Sequence, residues 1–462
     1  FMMIFIKWLK SIFFKTNART IFTIYLIFGL VASFILWLPI SLKEGVKLSY
    51  IDALFIAISQ ISSTGLTPVS VTDTFNLFGG IVSILILQIG GIGIVLLIAA
   101  YWVISGKRIG LRERNIIAAE QNQFTVKGIV KLIWNALTAI LILQFIYIIL
   151  LSTYLVIKQP WQMHYGEALF HSFYLAVSGF GNAGFEMFPA NNSFIVFQQQ
   201  NMYFPQILTA ILVFIGGVGF WPLAELTLFV KAKFKKQPYK FSFISKLFVK
   251  LHFGLLIISI VVYFLLEYQN TLVYMTPQEA VMNVIFMPTM IRSSGFYNTN
   301  TGDWTEATKI FMSILMFIGA APNSSGGGIR ITTLVLVLAA LNSYGRHRKQ
   351  VFMGGKAIKQ EAVRRAYSVF SMGVVIVMTS IFFIVLIEKV SFITVFFEVI
   401  SAFGTVGLSL GFTSTLSTAS KLIIMINMFI GRIGILTFIE ILDNKKETIN
   451  VVAYAERDMM VG

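Results

Sequence analysis

Ser401-Ala402-Phe403-Gly404-Thr405-Val406-Gly407-Leu408 sets a hydroxyl residue six positions ahead of a glycine that an apolar residue follows. The same spacing recurs at Ser59 to Gly65, Ser178 to Gly184 and Thr289 to Gly295, with Leu66, Phe185 and Phe296 next. Each copy ends an apolar stretch too brief to cross a bilayer, which takes about 20 residues, and each lies between two longer apolar runs that read as full-length spans. A second mark recurs in the later run: Ile89-Gly90, Ile215-Gly216, Ile318-Gly319 and Ile430-Gly431, which lie 25, 32, 24 and 24 positions past the first glycine. The first glycines are 119, 111 and 112 positions apart, so the chain reads as a fourfold tandem array. Single glycine and serine matches are ordinary in packed membrane helices. Four pairs in register exceed what packing alone requires.

The surrounding composition assigns the solvent. With 57% hydrophobic and 12% charged residues and a mean hydropathy of +0.81, the chain carries about half the charge of a soluble globule. Long apolar runs predict helices that face lipid, where a β-barrel would alternate. The run over 20–40 follows Lys7, Lys10 and Lys15 and reads as a first span, too long for a signal peptide. The chain has no Cys, which removes disulfides, thiolate metal sites and cysteine nucleophiles.

A net charge of +16 invites a nucleic-acid partner, but the placement of the basic residues argues against one. Lys and Arg number four in 1–20, six in 105–131, seven in 231–250, seven in 345–366 and three in 443–462. By the positive-inside rule these five segments share the cytoplasmic face. The expected organisation is an all-α integral membrane protein with a cytoplasmic N-terminus (1–19) and C-terminus (443–462). Between them lie four parallel span, re-entrant loop, span repeats at 20–105, 128–231, 247–345 and 366–442.

Re-entrant backbone at membrane depth survives only where it is buried or lines water, so four such loops imply a central hydrated axis. Short helices over 50–61, 165–177, 278–291 and 391–403 would aim their carboxy ends at that axis, placing partial negative charge where a cation sheds water. Backbone carbonyls then replace the water, and a glycine adopts the required dihedrals without a Cβ clash. Gly65, Gly184, Gly295 and Gly407 are the candidate filter residues.

Ser62-Ser63-Thr64-Gly65-Leu66, Asn182-Ala183-Gly184-Phe185, Arg292-Ser293-Ser294-Gly295-Phe296 and Thr405-Val406-Gly407-Leu408 carry a resemblance to the Trk/Ktr/HKT superfamily of potassium transporters, across nearly the whole chain. The chain looks closest to the bacterial Ktr membrane subunit (KtrB/KtrD type), because the extra pair of N-terminal spans usual in the Trk branch does not precede its first repeat. The resemblance implies a potassium-channel-like filter built from Thr64-Gly65, Ala183-Gly184, Ser294-Gly295 and Val406-Gly407, binding K+ at backbone carbonyls. A glycine at all four sites accompanies potassium selectivity in the superfamily. Ser293-Ser294 stands where relatives often show Thr-Ala, a mild departure. The resemblance further implies potassium uptake at the plasma membrane, a homodimer, a cytoplasmic ring of nucleotide-binding regulatory subunits (KtrA/KtrC type) and no covalent cofactor. Sodium enters as an activator or, in a runner-up reading, as a coupled ion.

The apolar run over 306–342 is too long for one straight crossing, and its middle is Gly319-Ala320-Ala321-Pro322-Asn323-Ser324-Ser325-Gly326-Gly327-Gly328. A proline, four glycines and three small polar residues do not hold a helix, and no Gly-Lys-Ser/Thr ending makes the segment a phosphate loop. The expectation is a gate beneath the filter, as the resemblance also implies. Arg432, just after the aligned Gly431, is a charge in a span; it is expected to face the inner cavity and either bond the gate carbonyls or raise the barrier to cations. Arg330 is expected to turn inward or tether the gate. Asp52, Glu167 and Glu279 open short helices, where the helix dipole favours an acid. Glu398, within a short helix, is paired with Arg292 in this reading.

Two other classes compete. A secondary transporter built on inverted repeats would place an odd number of spans in each half, whereas the basic segments recur on one side. A membrane-embedded enzyme needs clustered His, Asp or Glu at catalytic spacing; His164, His171, His252 and His347 show no metal-ligand spacing, and the chain reads as a non-enzyme.

Overall fold

The structure, a computed structural model, describes residues 16–105, 110–120, 129–189, 192–348 and 350–442. The expected C-terminal segment 443–462, most of the N-terminal one and part of the basic stretch 105–131 lie outside the described residues. Helices dominate, and they fall into four units of one pattern: a long helix, a short helix, then a pair of helices with a break between them.

Unit 1 holds α1 (Asn17–Trp37), α2 (Tyr50–Ile61), α3 (Leu77–Ile92) and α4 (Ile94–Ile104), with α5 (Leu111–Glu120) after it. Unit 2 holds α6 (Ile129–Lys158), α7 (Tyr165–Phe180), α8 (Tyr203–Val218) and α9 (Phe220–Phe234). Unit 3 holds α10 (Phe243–Glu267), α11 (Pro277–Met290), α12 (Glu306–Ile318) and α13 (Ile331–Gly345). After a two-residue hairpin, Phe352–Met353 against Lys356–Ala357, unit 4 holds α14 (Gln360–Glu388), α15 (Phe392–Gly404), α16 (Thr418–Ile433) and α17 (Ile435–Leu442).

Helix length separates spanning from non-spanning elements. At about 1.5 Å per residue, the 30-residue α6 and 29-residue α14 exceed a hydrocarbon core of about 30 Å, whereas the 12-residue α2 and 13-residue α15 fall short of it. α1, α6, α10 and α14 are long and apolar enough to cross a membrane. Their large apolar side chains are exposed in stripes, such as Ile27, Val31 and Phe34 on α1 or Met378, Phe382 and Leu386 on α14. Polar side chains also join helices: half-buried Gln88 and buried Gln144 exchange two amide hydrogen bonds between α3 and α6.

The short helices begin with local signals. Ser49 accepts a hydrogen bond from the Asp52 amide. Glu167 reaches back to the His164 amide at 3.1 Å, and Glu279 to the Thr276 amide at 2.8 Å. Asp52 does more than the dipole requires: it pairs with Lys421 of α16 at 2.7 Å, joining unit 1 to unit 4.

The second spans of units 1 and 2 differ from the sequence expectation of full-length runs, whereas in unit 3 the sequence already predicts a break. All four are interrupted, after Ile92, Val218, Ile318 and Ile433; α8 and α9 meet at 105°, and α16 and α17 at 103°. Single glycines in conformations that only glycine adopts readily make three of the breaks, Gly93 and Gly219 at φ 102° and Gly434 at φ 94°. Packing then closes a circle. Each long helix lies on the short helix of its own unit, while α3 also packs on α7, α8 on α11, α12 on α15, and α16 on α2.

Candidate functional site

The glycines at 90, 216 and 431 allow each second helix to approach the end of its own short helix. A methyl on Gly90 would sit 2.6 Å from the Ile61 carbonyl oxygen, and one on Gly216 or Gly431 would collide with the carbonyl of Phe180 or Phe403. Ile61, Phe180 and Phe403 occupy the same place, four residues before the glycines at 65, 184 and 407.

Past the short helices, the turns of units 1, 2 and 4 are held by a hydroxyl. Ser59 Oγ accepts from the Gly65 amide and Ser401 Oγ from the Gly407 amide, both at 3.1 Å. Ser178 Oγ accepts one residue later, from the Phe185 amide at 2.9 Å. These bonds are the physical reason for the six-residue spacing. Unit 3 departs from it: Thr289 Oγ1 donates back to the Ile285 carbonyl.

The four turns meet edge to edge. A methyl on Gly65 would lie 2.7 Å from the Ala183 carbonyl oxygen, and methyls on Gly184, Gly295 and Gly407 would collide with the carbonyl oxygens of Ser294, Val406 and Thr64. Each glycine thus abuts the carbonyl that precedes the glycine of the next unit, and the fourth returns to the first. All four have positive φ, from 67° to 100°. The structure therefore brings Thr64, Gly65, Ala183, Gly184, Ser294, Gly295, Val406 and Gly407 into one ring. Four short-helix carboxy ends, with their partial negative charge, lead into it.

The residues after the ring glycines line a cavity of about 340 Å³. Its walls include Thr67, Phe185, Glu186, Tyr297, Ser409 and Thr413, with all four ring glycines at its floor. Glu186 is the one carboxylate in this lining, and it accepts from both the amide and the hydroxyl of Ser193.

The residues before the ring glycines face the segment between α12 and α13. Gly319 through Ile329 is largely buried, and its backbone is bonded to the units around it. The Ala321 amide donates to Gly217 O at 3.2 Å, and Asn323 O accepts from the Phe220 amide at 2.7 Å. Ser325 Oγ donates to Phe180 O and Gly216 O, both at 3.3 Å. The Gly327 amide donates to Thr405 Oγ1 at 2.7 Å. Its glycines allow this proximity: a methyl on Gly326 would lie 3.0 Å from Ser293 Cβ.

Three arginines hold carbonyls of this segment. Arg432 bonds Ser325 O, and its other nitrogen bonds Gly90 O and Gly91 O. Arg330 bonds Gly326 O, four residues back along its own chain. Arg292, fully buried, reaches Gly319 O at 3.4 Å. Among the described residues the ion pairs are Lys309 with Glu306, Arg365 with Glu361 and Lys421 with Asp52, so none of these three arginines has a carboxylate partner.

Arg292 and Glu398 do not pair, contrary to the sequence expectation. Glu398 instead accepts from Ser409 Oγ at 2.7 Å and from Thr413 Oγ1, tying the stretch after Gly407 to α15. Arg292 donates to His252 Nδ1 at 2.9 Å and to His252 O at 3.0 Å. A guanidinium only donates, so His252 Nδ1 is the acceptor and the neutral ring carries its proton on Nε2. Sequence reasoning missed this network because His252 and Arg292 lie 40 positions apart with no spacing signal. The breaks at Gly93 and Gly219 did leave one: Gly90-Gly91-Ile92-Gly93, Gly216-Gly217-Val218-Gly219 and Gly431-Arg432-Ile433-Gly434 share a glycine three positions past the aligned one.

A sequence profile of the TrkH family, described as "Cation transport protein", matches residues 4–447. The chain is 36% identical over 457 residues to the Ktr system potassium uptake protein D of Bacillus subtilis, covering 99% of this chain and 100% of the relative. It is 32% identical to the Ktr system potassium uptake protein B of Vibrio alginolyticus, covering 93% and 91%. The fold is similar to the solved potassium transporter TrkH of Vibrio parahaemolyticus, with a TM-score of 0.68 at 18% identity over 92% of this chain and 84% of that one. A matched profile and full-length relatives above 30% identity lead to one conclusion: this chain belongs to the TrkH family of cation transport proteins.

Proposed function

We propose that the protein carries potassium ion into the cell across the plasma membrane, with the glycine ring as its selectivity filter. The observation that carries this reading is the closed succession of glycine and carbonyl contacts from Gly65 to Thr64 O. It sets four backbone carbonyls in one layer, where they can replace the water of a monovalent cation. The hydroxyls of Ser59, Ser178 and Ser401 brace that layer from behind. Glu186 adds carboxyl oxygens, which suit a cation, to the lining of the cavity above it. The relatives named as potassium uptake proteins supply the ion.

The segment 319–328 is the gate in this reading. It is buried against the residues that precede the filter, and Arg432 holds it in place while adding an unpaired positive charge to the ion path. Opening requires Arg432 to release Ser325 O. The termini and basic segments face the cytoplasm, two copies form a homodimer, and a ring of nucleotide-binding subunits pulls the gate open. The name "Ktr system" on the relatives supports a partner of that kind.

The test is cation flux through the purified protein in liposomes, with K+, Rb+ and Na+ compared. Wild type should prefer K+ and Rb+ to Na+. Gly65→Ser, which crowds the Ala183 carbonyl, should narrow that preference, and Arg432→Ala should raise flux in the absence of an activating partner. A folded protein whose K+ and Na+ fluxes respond to neither substitution would reject the filter and the gate together.

A further inference from the structure

Among the residues at the two positions before each ring glycine, one side chain hydrogen-bonds the backbone of the gate segment. Thr405, two residues before Gly407, is fully buried, and its Oγ1 is the acceptor for the Gly327 amide at 2.7 Å. No other side chain from the ring's own motif residues, at the ring glycines or the two positions before them, bonds the backbone of 319–330 among the described hydrogen bonds. The contact is also sterically tight, since a methyl on Gly327 would lie 2.6 Å from Thr405 Oγ1.

Thr405 holds an unusual backbone. Its φ of 50° and ψ of 52° are left-handed, a genuine outlier for a β-branched residue. Such strain persists only where the surroundings over-determine it, and it gathers at switch regions. Ser63 and Asn182, at the same place in units 1 and 2, share the conformation at φ 55° and 52°. Neither is β-branched, and asparagine tolerates it well. Unit 4 thus uses the residue least suited to that backbone, and the gate amide bonds its side chain.

We propose that Thr405 is a latch coupling the gate to the filter: the Gly327 amide, by holding the Thr405 hydroxyl, keeps the gate segment closed and sets the unit 4 filter backbone. The inference rests on the reading of 319–328 as a gate. It follows by reciprocity that whatever lifts the segment also alters the unit 4 carbonyls, and that the filter's state feeds back on closure with the same coupling energy. Losing the acceptor leaves a buried amide unpaired in the closed state only, so closure weakens by one buried hydrogen bond.

The experiment measures unstimulated K+ flux, and the ratio of K+ to Na+ flux, in liposomes holding the full chain. Thr405→Val, which keeps the shape and loses the acceptor, should raise unstimulated flux about tenfold, the equivalent of about 1.4 kcal/mol, and should lower the K+/Na+ ratio. Thr405→Ser, which keeps the acceptor, should restore wild-type closure. In an Arg432→Ala background, where the segment is already released, Thr405→Val should add no further flux, which a merely structural residue would not obey. Should Thr405→Val fail to fold, Gly327→Ala, whose methyl crowds Thr405, replaces it with the same expected rise. If Arg432→Ala raises flux while neither Thr405→Val nor Gly327→Ala does, the latch is overturned and the gate stands; if none of the three does, the gate reading falls and the latch with it.

Discussion

Units 2 and 3 break their second helices at the same place by different means. In unit 2 the chain turns 105° at one residue, Gly219, with φ 102° and ψ 157°. In unit 3 the helix stops at Ile318 and resumes at Ile331, with an irregular segment between. Aligning the two on Gly216 and Gly319 sets Pro322 opposite Gly219. Proline's ring holds φ near −65°, so unit 3 cannot make the turn that Gly93, Gly219 and Gly434 make in the other units. The chain leaves the helix instead and spends the following residues beneath the ring, where Gly326, Gly327 and Gly328 pack against Ser293, Thr405 and Gly404. A hinge kept in three units became, in unit 3, a separate structural part.

Removing that part should have the largest effect. Deletion of 320–327 is expected to raise unstimulated K+ flux in liposomes by about a hundredfold, because it removes the segment itself along with the bonds that hold it at Arg432, Thr405 and Phe180. A deleted protein that folds but stays closed would show that unit 3 is merely another hinge. Gly219→Ala attacks the other side of the comparison. Its backbone lies where non-glycine residues rarely go, and its methyl would sit 2.7 Å from the Pro322 carbonyl. A loss of about 3 kcal/mol is expected in denaturation of the purified protein in detergent. Little loss would mean that α8 and α9 can meet differently.

Two smaller changes sharpen the contrast. Asp52→Asn weakens the tie to Lys421 that joins units 1 and 4. Both side chains are mostly shielded, so a loss of about 1 kcal/mol is expected, smaller at high salt, with ion preference unchanged. Pro322→Gly alone should shift thermal stability by less than about 1 kcal/mol. The eleven other positions from 319 to 330 remain, and one glycine cannot recover a one-residue turn. A large gain in stability from this change would show that the proline, rather than the length of the segment, limits unit 3.

Much of the site was legible in the sequence because its causes are local. The carbonyl-bearing ring requires glycine at four positions, and the serines that brace it sit six residues earlier, near the end of the preceding short helix, so both leave a fixed spacing. The breakable run in unit 3 announced itself through Pro322 and its glycines. Thr289 has the right spacing and bonds elsewhere, a reminder that a hydroxyl on a helix can return to its own backbone.

What stayed hidden depends on contacts between distant segments. Glu398 was paired with Arg292 because both are charges in apolar surroundings; in the folded chain Ser409 and Thr413 satisfy the acid, and His252 and Gly319 accept from the arginine. Hydrogen-bond partners of a buried charge are chosen by direction and reach, which sequence separation does not encode. Sequence alone determined the lipid-facing class, the four units and the glycines at their centre, since hydropathy, repeat spacing and the absence of a Cβ are properties of residues. Tertiary structure alone decided the order in which each glycine meets the next unit's carbonyl, the partners of the three arginines and the bond from Gly327 to Thr405, because each is a distance between segments that only packing brings together.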